Sequence, residues 1–418
     1  MKQIYTSLDL GSNSIKIVTA EYFKQNINIL SVADVPSKGI KRGLIVDPAL
    51  ALASLKEALD QAESILGLKI NKLIANVPSY FAEFSLVKGE MNIPTDEDGS
   101  QIPVDGNMTV KVLQIAVKPN ISTSKEIIAI QPIDFNVDGK YSQDPKGMIG
   151  NKLGVRAILV ETPTKNVASV VKLCEMAGVE VEDISISGIG DMYANHYKDM
   201  EKEVGMIVNF GAETTNISLY NKGIIIKNSV ISMGGKSIDN DLAYMYHLTF
   251  TEASKLKEKF AHACKNNADI GNLYEVKNDA GEVLKLNEYE VSEVVQARLE
   301  EILTAVRDEM KSMTDHQLDY IILTGGISNM KDFITLTGAI IGKSAIIENV
   351  KIIGIRDNKY SVALGNILYL ISKNELKGEQ YSMLSSSEQE ELASIKKNLI
   401  GASKESMLGK VFGYFFNE

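Results

Sequence analysis

Three short segments rich in small residues, far apart in the chain, most constrain its fold. They are residues 9–14 (DLGSNS), 209–215 (NFGAETT) and 323–328 (LTGGIS). Each follows an apolar, β-branched run, which is typical of a strand that leads into a turn. Glycine at such a turn allows close approach to a ligand, and neighbouring N–H and hydroxyl groups can face phosphate oxygens. The trio predicts two turns that clamp a nucleoside triphosphate between two domains, and a third that packs against purine and ribose.

In this order, the three segments resemble the phosphate-1, phosphate-2 and adenosine motifs of the actin, Hsp70 and sugar-kinase superfamily. The resemblance implies an α/β fold of a particular kind. This is a duplicated ribonuclease H-like (actin-like) fold, with two domains around an ATP cleft and an inserted α+β subdomain. It also implies ATP and Mg²⁺ as cofactors.

Two further segments resemble a narrower group, the FtsA family of bacterial cell-division actin homologues. Residues 37–47 (SKGIKRGLIVD) are similar to a hairpin of that family, and residues 144–153 (DPKGMIGNKL) to a second family segment. The resemblance implies an ATP-binding division protein that polymerises at the cytoplasmic membrane and anchors the FtsZ ring. Its implied partners are the FtsZ C-terminal tail, other copies of itself, other divisome proteins and membrane lipid.

Composition argues against several other classes of protein. A chain of 418 residues with 44% hydrophobic content can form two large subdomain pairs, and a net charge of −10 gives no basic face for nucleic acid. Cys174, Cys264 and four scattered histidines lack zinc-site spacing. The first strand begins close to Met1 and no apolar run approaches the ~20 residues that span a bilayer. We therefore expect a cytoplasmic protein, peripheral on the inner face of the membrane.

Hydrophobic periodicity and the resemblance together predict the domain map. Helical stripes cover residues 48–66 and 164–178, and a stretch rich in strand formers and turn residues lies between them. The predicted units are two core subdomains, 1A (1–80 and 163–200) and 2A (201–238 and 314–372), an inserted α+β subdomain 1C (81–162), a helical subdomain 2B (239–313), a polar linker (373–403) and an amphipathic helix (404–418). Residues 144–153 assign the insert to the FtsA side of subdomain 1A, opposite to that used by actin.

Candidate nucleotide-binding residues lie at the three turns and at the start of subdomain 2B. Hydroxyl, amide and ammonium groups at the first two turns can bind phosphate oxygens. The set is Asp9, Gly11, Ser12, Asn13, Ser14, Lys16, Asn209, Gly211, Ala212, Thr214, Thr215, Gly234, Gly235, Lys257, Gly325, Gly326 and Ile327. Gly234, Gly235 and Lys257 join it through the resemblance, because a family helix approaches the adenosine there, although Ser254 replaces a family glutamate.

Asp9 is the candidate magnesium-binding residue. Fast ATP hydrolysis is not expected from the other residues of the site. Asp9 ends the first predicted strand and can hold Mg²⁺ through water, since the ion keeps several waters. Most members of the superfamily carry aspartate at the position that matches Asn209, where a carboxylate orders Mg²⁺ and the attacking water. Residues 187–191 (SGIGD) also show no glutamine or glutamate in the water-orienting region. At most, a weak ATPase is expected.

Two other segments carry candidate interaction residues. In subdomain 2B, Arg298 and Glu301 resemble an R..E pair in the family helix that contacts the FtsZ tail. An ordinary i,i+3 ion pair on a helix surface explains them equally well. At the C-terminus, one face of a short helix is apolar and resembles the family's membrane-targeting helix, with docking on the protein itself as the alternative. Its residues are Met407, Leu408, Val411, Phe412 and Phe415.

Three alternative functions share this fold. A PilM-like pilus-assembly platform would have no tethered amphipathic tail and would bind a short peptide of a membrane partner. A small-molecule kinase would need a substrate pocket and a base. An Hsp70-like ATPase is disfavoured because no substrate-binding β domain follows Leu370.

Overall fold

The computed structural model describes residues 2–348, 350 and 352–403, and the predicted amphipathic helix at 404–418 lies outside them. The first half of the chain forms β1 (Gln3–Leu10), β2 (Ser14–Phe23), β3 (Asn26–Pro36), β4 (Ile40–Lys41), β5 (Leu44–Ile45), α1 (Pro48–Leu66), β6 (Lys72–Val77), β7 (Glu83–Asn92), α2 (Gly106–Val117), β8 (Lys125–Val137), β9 (Lys140–Ser142), β10 (Lys152–Pro163), α3 (Thr164–Ala177), β11 (Glu180–Ile186) and α4 (Ser187–Ala194).

The second half forms β12 (Val204–Phe210), β13 (Thr215–Asn221), β14 (Ile224–Ile231), α5 (Gly235–Tyr246), α6 (Phe250–Phe260), β15 (Leu273–Lys277), β16 (Val283–Asn287), α7 (Glu288–Met313), β17 (Tyr320–Thr324), α8 (Phe333–Ile340), β18 (Ala345–Ile347), α9 (Ser361–Lys377) and α10 (Ser386–Ser403).

Each half contains one five-stranded sheet with the same plan. The strand orders are β11-β6-β1-β2-β3 and β14-β13-β12-β17-β18. In both, three consecutive strands form an antiparallel meander, and two later strands add in parallel beside the first. Strand β1 is buried at every position after Gln3, as is typical of a central strand covered on both faces, and the polar residues Thr6 and Ser7 share this burial. The duplicated α/β core expected from the sequence is confirmed.

The same plan brings the first two predicted turns to equivalent places. In the first sheet, Leu10 of β1 pairs with Ile15 of β2, and residues 11–14 turn between them. In the second, Phe210 of β12 pairs with Thr215 of β13 around residues 211–214. The third turn follows β17, which is parallel to β12. Because parallel strands end at the same sheet edge, the second and third turns are neighbours.

An inserted α+β subdomain separates the two parts of the first core. Its antiparallel sheet has the order β7-β10-β8-β9, and α2 packs on β7 and β10. A separate hydrophobic cluster holds it together, with Val112, Phe135 and Leu153 fully or almost fully buried. Gly89 permits the close contact, because a Cβ atom there would lie 2.6 Å from the carbonyl oxygen of Val112.

The predicted helical subdomain contains more than helices. Its first helix, α5, begins at Gly235 rather than near Asp239, and a hairpin of β15 and β16 precedes the long helix α7. Alternation in Leu273–Lys277 and Val283–Asn287 is typical of half-exposed strands, a signal too short to stand out between helical stripes.

The expectation of a polar linker over residues 373–403 is wrong. Helix α9 continues to Lys377, and α10 covers Ser386–Ser403. Between them, the amide of Met383 donates to the carbonyl of Ile4 in β1 at 2.8 Å. Met383, Leu384 and Leu392 are buried on the first core. Three apolar anchors spread over ten residues leave the average composition polar, which is why the sequence predicted a solvated segment.

Truncating one of these anchors tests the docking. Leu392→Ala should lower the free energy of unfolding by about 2–3 kcal/mol, the lower range for a buried leucine cut to alanine. The measurement is denaturant unfolding followed by circular dichroism. Glu390→Ala on the exposed face of the same helix is the control and should change stability little. Equal stability of parent and Leu392→Ala would contradict docking in solution.

Candidate functional site

A cavity of about 940 Å³ opens between the two halves and is lined by most of the predicted site residues. This volume is at the upper end for pockets that bury a ligand of nucleotide size. The predicted residues that line it are Asp9, Gly11, Ser12, Asn13, Ser14, Lys16, Asn209, Gly211, Ala212, Thr214, Gly235, Lys257, Gly325, Gly326 and Ile327. The three turns therefore meet around one cleft.

Two predicted residues, Thr215 and Gly234, do not line the cleft. The hydroxyl of Thr215 is buried and donates to the carbonyl of Met233 at 2.9 Å. Gly234 packs under the second turn, where a Cβ atom would lie 2.4 Å from the carbonyl oxygen of Gly211. Both residues hold the turn from behind, so a direct contact with phosphate is not their role.

Helix α5 supports the second turn through its first amides. The N–H of Gly235 donates to the carbonyl of Gly211 at 3.0 Å, and the N–H of Lys236 to that of Ala212 at 2.8 Å. The first N–H groups of a helix lack partners within the helix and often bind anions. Here these two are used to fix the turn, which leaves side chains to reach a ligand.

Asp9 and Lys16 form a buried ion pair at the first turn. Lys16 Nζ lies 3.2 Å from Asp9 Oδ2, and Asn76 Nδ2 donates to Asp9 Oδ1 at 3.3 Å. The pairing follows from register, because Asp9 and Lys16 are opposite each other on β1 and β2. Each carboxylate oxygen still has a free lone pair that can accept from a water ligand of Mg²⁺. The arrangement fits the outer-sphere role predicted for Asp9.

Asp191 is a functional candidate that sequence reasoning missed. Asn209 Nδ2 donates to Asp191 Oδ1 at 2.8 Å and to Oδ2 at 2.9 Å, and Ser361 Oγ donates to Oδ1 at 2.8 Å. Asp191 is almost completely buried, and this burial raises the pKa of its carboxyl group to about 7. It stands in the segment 187–191, where the sequence shows no glutamine or glutamate to orient water, and only the fold brings it beneath the cleft.

The Asp191 contact explains why an amide at position 209 suits this chain. The Asn209 amide nitrogen donates to both oxygens of the carboxylate below it, whereas an aspartate there would set two carboxyl groups within about 3 Å of each other. Two carboxyl groups at that distance cannot both ionise without a large cost in free energy. The hydrogen bonds to Asp191 therefore account for asparagine at position 209, where the superfamily pattern has aspartate.

The end of the cleft assigned to adenosine is bounded by the turn after β17 and by helix α6 of the second half. Gly325 has a φ of +89° and packs so tightly on Phe210 that a Cβ atom would lie 2.6 Å from the Phe210 carbonyl oxygen. At Gly326 a Cβ atom would meet nothing within 4 Å. Lys257 Nζ pairs with Asp239 Oδ1 at 2.7 Å. The predicted lysine is thus neutralised by an acid that also lines the cleft.

The predicted partner-binding pair, Arg298 and Glu301, lies on α7. Arg298 binds Glu301 and makes a bidentate ion pair with Asp241, with Nη2 and Oδ1 2.8 Å apart. The sequence did not reveal the Asp241 contact, which crosses between α7 and α5. A partner's acidic group would have to compete with two carboxylates for this guanidinium.

Three findings concern membranes and metals. Across residues 2–348, 350 and 352–403, none of the helices combines the length and the apolar character that crossing a bilayer requires. Within the same ranges, histidine, cysteine and acidic side chains do not gather in threes as metal ligands. The apolar tail residues Met407, Leu408, Val411, Phe412 and Phe415 lie outside the described residues.

Solved structures with the same fold place the chain in a class. One chain of a PilM–PilN type IV pilus biogenesis complex aligns with a TM-score of 0.59 and 14% identity, over 87% of this chain and 98% of that one. MreB 5 of Spiroplasma citri bound to AMPPNP aligns at 0.53 and 13%, over 90% and 99%. At such identities the likeness concerns the fold. The fold and cleft define an actin-like protein with two domains and an inserted subdomain.

Sequence comparison identifies the family within that class. The model for "Cell division protein FtsA" matches residues 206–365, and the model for the "SHS2 domain inserted in FTSA" matches residues 83–161. The chain is 27% identical to FtsA of Bacillus subtilis (strain 168) over 382 residues, covering 90% of this chain and 86% of the relative. It is 25% identical to FtsA of Enterococcus faecalis (strain V583), covering 99% and 98%. The chain belongs to the FtsA family of cell division proteins, and the PilM-like alternative is not favoured.

The Asp191 carboxyl should make stability depend on pH. With a pKa near 3.8 when unfolded and about 7 when folded, it holds a proton in the folded state that the unfolded state releases. The free energy of unfolding should therefore fall as pH rises from about 4 to 7, by up to about 4 kcal/mol. Asp191→Asn stays neutral and should flatten this dependence in denaturant titrations at pH 5 and 8. Asp60→Asn, at an exposed position on α1, is the control. Parallel pH profiles for parent and Asp191→Asn would contradict the assignment.

Proposed function

We propose that this protein binds ATP with Mg²⁺ in the cleft, polymerises at the cytoplasmic membrane and anchors the FtsZ ring there. One observation carries the nucleotide part. Two equivalent hairpin turns, at residues 11–14 and 211–214, line the same cavity, and the glycine turn after β17 lines it too. Opposed turns with N–H and hydroxyl donors suit a chain of phosphates, and the open face of Gly326 suits a flat base.

The residues around the phosphates would divide the work. Ser12, Asn13 and Ser14 offer donors from the first half, and Ala212 and Thr214 from the second. Asp9 would hold Mg²⁺ through water, and the bound ion would neutralise phosphate charge. Lys16 stays paired with Asp9, so it orients that carboxylate beside the first turn.

Slow or absent hydrolysis fits the arrangement around Asn209. The carboxylate that could replace a missing aspartate, Asp191, is buried and already accepts hydrogen bonds from Asn209 and Ser361. A base must reach the water whose proton it takes, directly or through one water. Asp191 lies behind Asn209 and does not line the cleft, so nucleotide binding is the better-supported activity.

Contact with the FtsZ tail is proposed for the α5 and α7 surface of the helical subdomain. Asp241, Arg298 and Glu301 form an ion-paired cluster there, and Tyr244 is 85% exposed beside it. An exposed aromatic next to a charge cluster supports recognition of a short peptide with apolar and acidic groups. Membership of the FtsA family makes the division ring the setting for this contact.

Membrane attachment is proposed for residues 404–418. A short helix with one apolar face gains stability when an interface takes that face. Because Leu392 in α10 is buried on the first core, the tail follows a docked helix and not a thirty-residue linker. A single tail should bind weakly, and many tails in a filament should bind strongly through avidity.

Filling the purine face of the cleft tests the nucleotide proposal. Gly326→Trp should reduce ATP affinity by at least about tenfold in calorimetry, since Gly326 lines the cleft and a Cβ atom there meets nothing within 4 Å that would hold the new side chain back. Gly338→Trp adds the same side chain where a Cβ atom also meets nothing within 4 Å, outside the cleft lining. It should bind ATP as the parent does. Unchanged affinity in Gly326→Trp would refute the adenosine site.

Placing a charge on the apolar face of the tail tests membrane attachment. Phe412→Glu should sharply lower co-sedimentation with liposomes containing anionic lipid, because an ionised side chain is costly at that depth. Asn417→Glu adds the same charge on the polar side and is the matched control. Should Phe412→Glu sediment like the parent, or melt at a lower temperature without lipid, the tail would instead be an element that docks on the protein itself.

A further inference from the structure

The hairpin of β4 and β5 reaches across the phosphate end of the cleft. Its two turn residues, Arg42 and Gly43, have φ values of +51° and +72°, the signature of a tight two-residue turn. The N–H of Gly43 donates to Ser12 Oγ at 2.9 Å, and the N–H of Arg42 donates to Glu213 Oε2 at 2.7 Å. One turn thus binds the phosphate turns of both halves.

Lys236 joins the same two phosphate turns from the other side. Its Nζ donates to the carbonyl of Ser12 at 2.8 Å and lies 2.9 Å from Glu213 Oε1. An ammonium has three hydrogens, and these two contacts leave one. The side chain of Lys236 is 26% exposed and lines the cleft, so the remaining hydrogen can reach a ligand.

Lys236 is more exposed to the cleft than Lys16 and Lys257, although each of the three lysines has a carboxylate partner. The side chains of Lys16 and Lys257 are only 9% and 11% exposed in their pairs with Asp9 and Asp239, against 26% for Lys236. Glu213 would repel a phosphate if it stood alone, but Lys236 neutralises it and the Arg42 amide holds it in place. Arg42 also lines the cleft and brings a second positive charge to it. A further phosphate that enters this end of the cleft would therefore lie near the positive charges of Lys236 and Arg42.

We infer that Lys236, held between Ser12 and Glu213, reads the terminal phosphate and makes this chain prefer a nucleoside triphosphate to the diphosphate. The inference rests on the proposed nucleotide binding and adds a residue that determines specificity. With a diphosphate bound, Lys236 would contact only Glu213 and Ser12. A triphosphate adds a charge-assisted hydrogen bond at the place where the two halves touch.

The same contact ties phosphate recognition to closure of the cleft. Lys236 and Glu213 belong to the second half, whereas Ser12 and Arg42 belong to the first. A ligand shifts a conformational equilibrium only by its difference in affinity for the two states. Because the terminal phosphate would bind Lys236 while it contacts Ser12, the triphosphate favours the closed arrangement more than the diphosphate does.

The test compares ATP and ADP affinities by calorimetry with Mg²⁺ on the full chain. Lys236→Met removes the ammonium and should cut the ATP-over-ADP preference by about tenfold to a hundredfold, the range for a charged hydrogen bond. ADP affinity should fall less than ATP affinity, because the unpaired Glu213 repels both nucleotides whereas only the triphosphate loses a hydrogen bond. Lys236→Arg should keep most of the preference.

Controls separate this inference from the proposed function. Lys285→Met removes a lysine paired with Glu275 at 3.0 Å on the β15–β16 hairpin, outside the cleft lining, and should leave both affinities unchanged. Melting without nucleotide identifies a variant that fails to fold. If the parent prefers ATP and Lys236→Met keeps that preference, the inference is wrong and nucleotide binding stands. If the parent binds neither nucleotide, the proposed function fails and this inference with it.

Discussion

Close packing of α4 against α9 sets the distance between the two halves of the molecule. A Cβ atom on Gly365 would lie 1.7 Å from the carbonyl oxygen of Gly190, so only glycine allows the two backbones to approach this far. The same crossing brings Asp191 of α4 and Ser361 of α9 within hydrogen-bond distance of each other. The floor of the cleft, and hence the spacing of the phosphate turns above it, depends on this contact.

Hydrogen bonds to the buried Asp191 hold the crossing of α4 and α9 in place. A buried carboxyl group that ionises costs stability unless it is fully hydrogen-bonded. Here Asn209 and Ser361 supply donors from two different elements, and an apolar residue at 191 would leave both without their acceptor. The group therefore fixes α4, α9 and β12 relative to one another. That structural demand also occupies the side-chain amide of Asn209.

How far the sequence predicts this molecule depends on the distance over which each signal acts. The turns at residues 11–14 and 211–214 were predictable as turns, because a buried strand and a following glycine turn are adjacent in the chain, as at Leu8 and Gly11. Lys236 and Glu213 were not, since nothing local says that their side chains meet Ser12 from the other half. Asp191 was missed for the same reason. Helix α10 was missed because Leu392 acquires a partner only when the first core has formed.

Strand β1 connects the two features that the sequence treated as separate. At one end it carries Asp9 beside the first phosphate turn, and near the other the carbonyl of Ile4 accepts from Met383, ahead of α10. The segment that precedes the tail is thus docked on the first half, whereas Lys236 and Glu213 belong to the second. If the tail holds the first half to the membrane, closure of the cleft moves the second half relative to that surface. The α5 and α7 face proposed for the FtsZ tail lies in this moving half, so nucleotide state would change its position relative to the membrane.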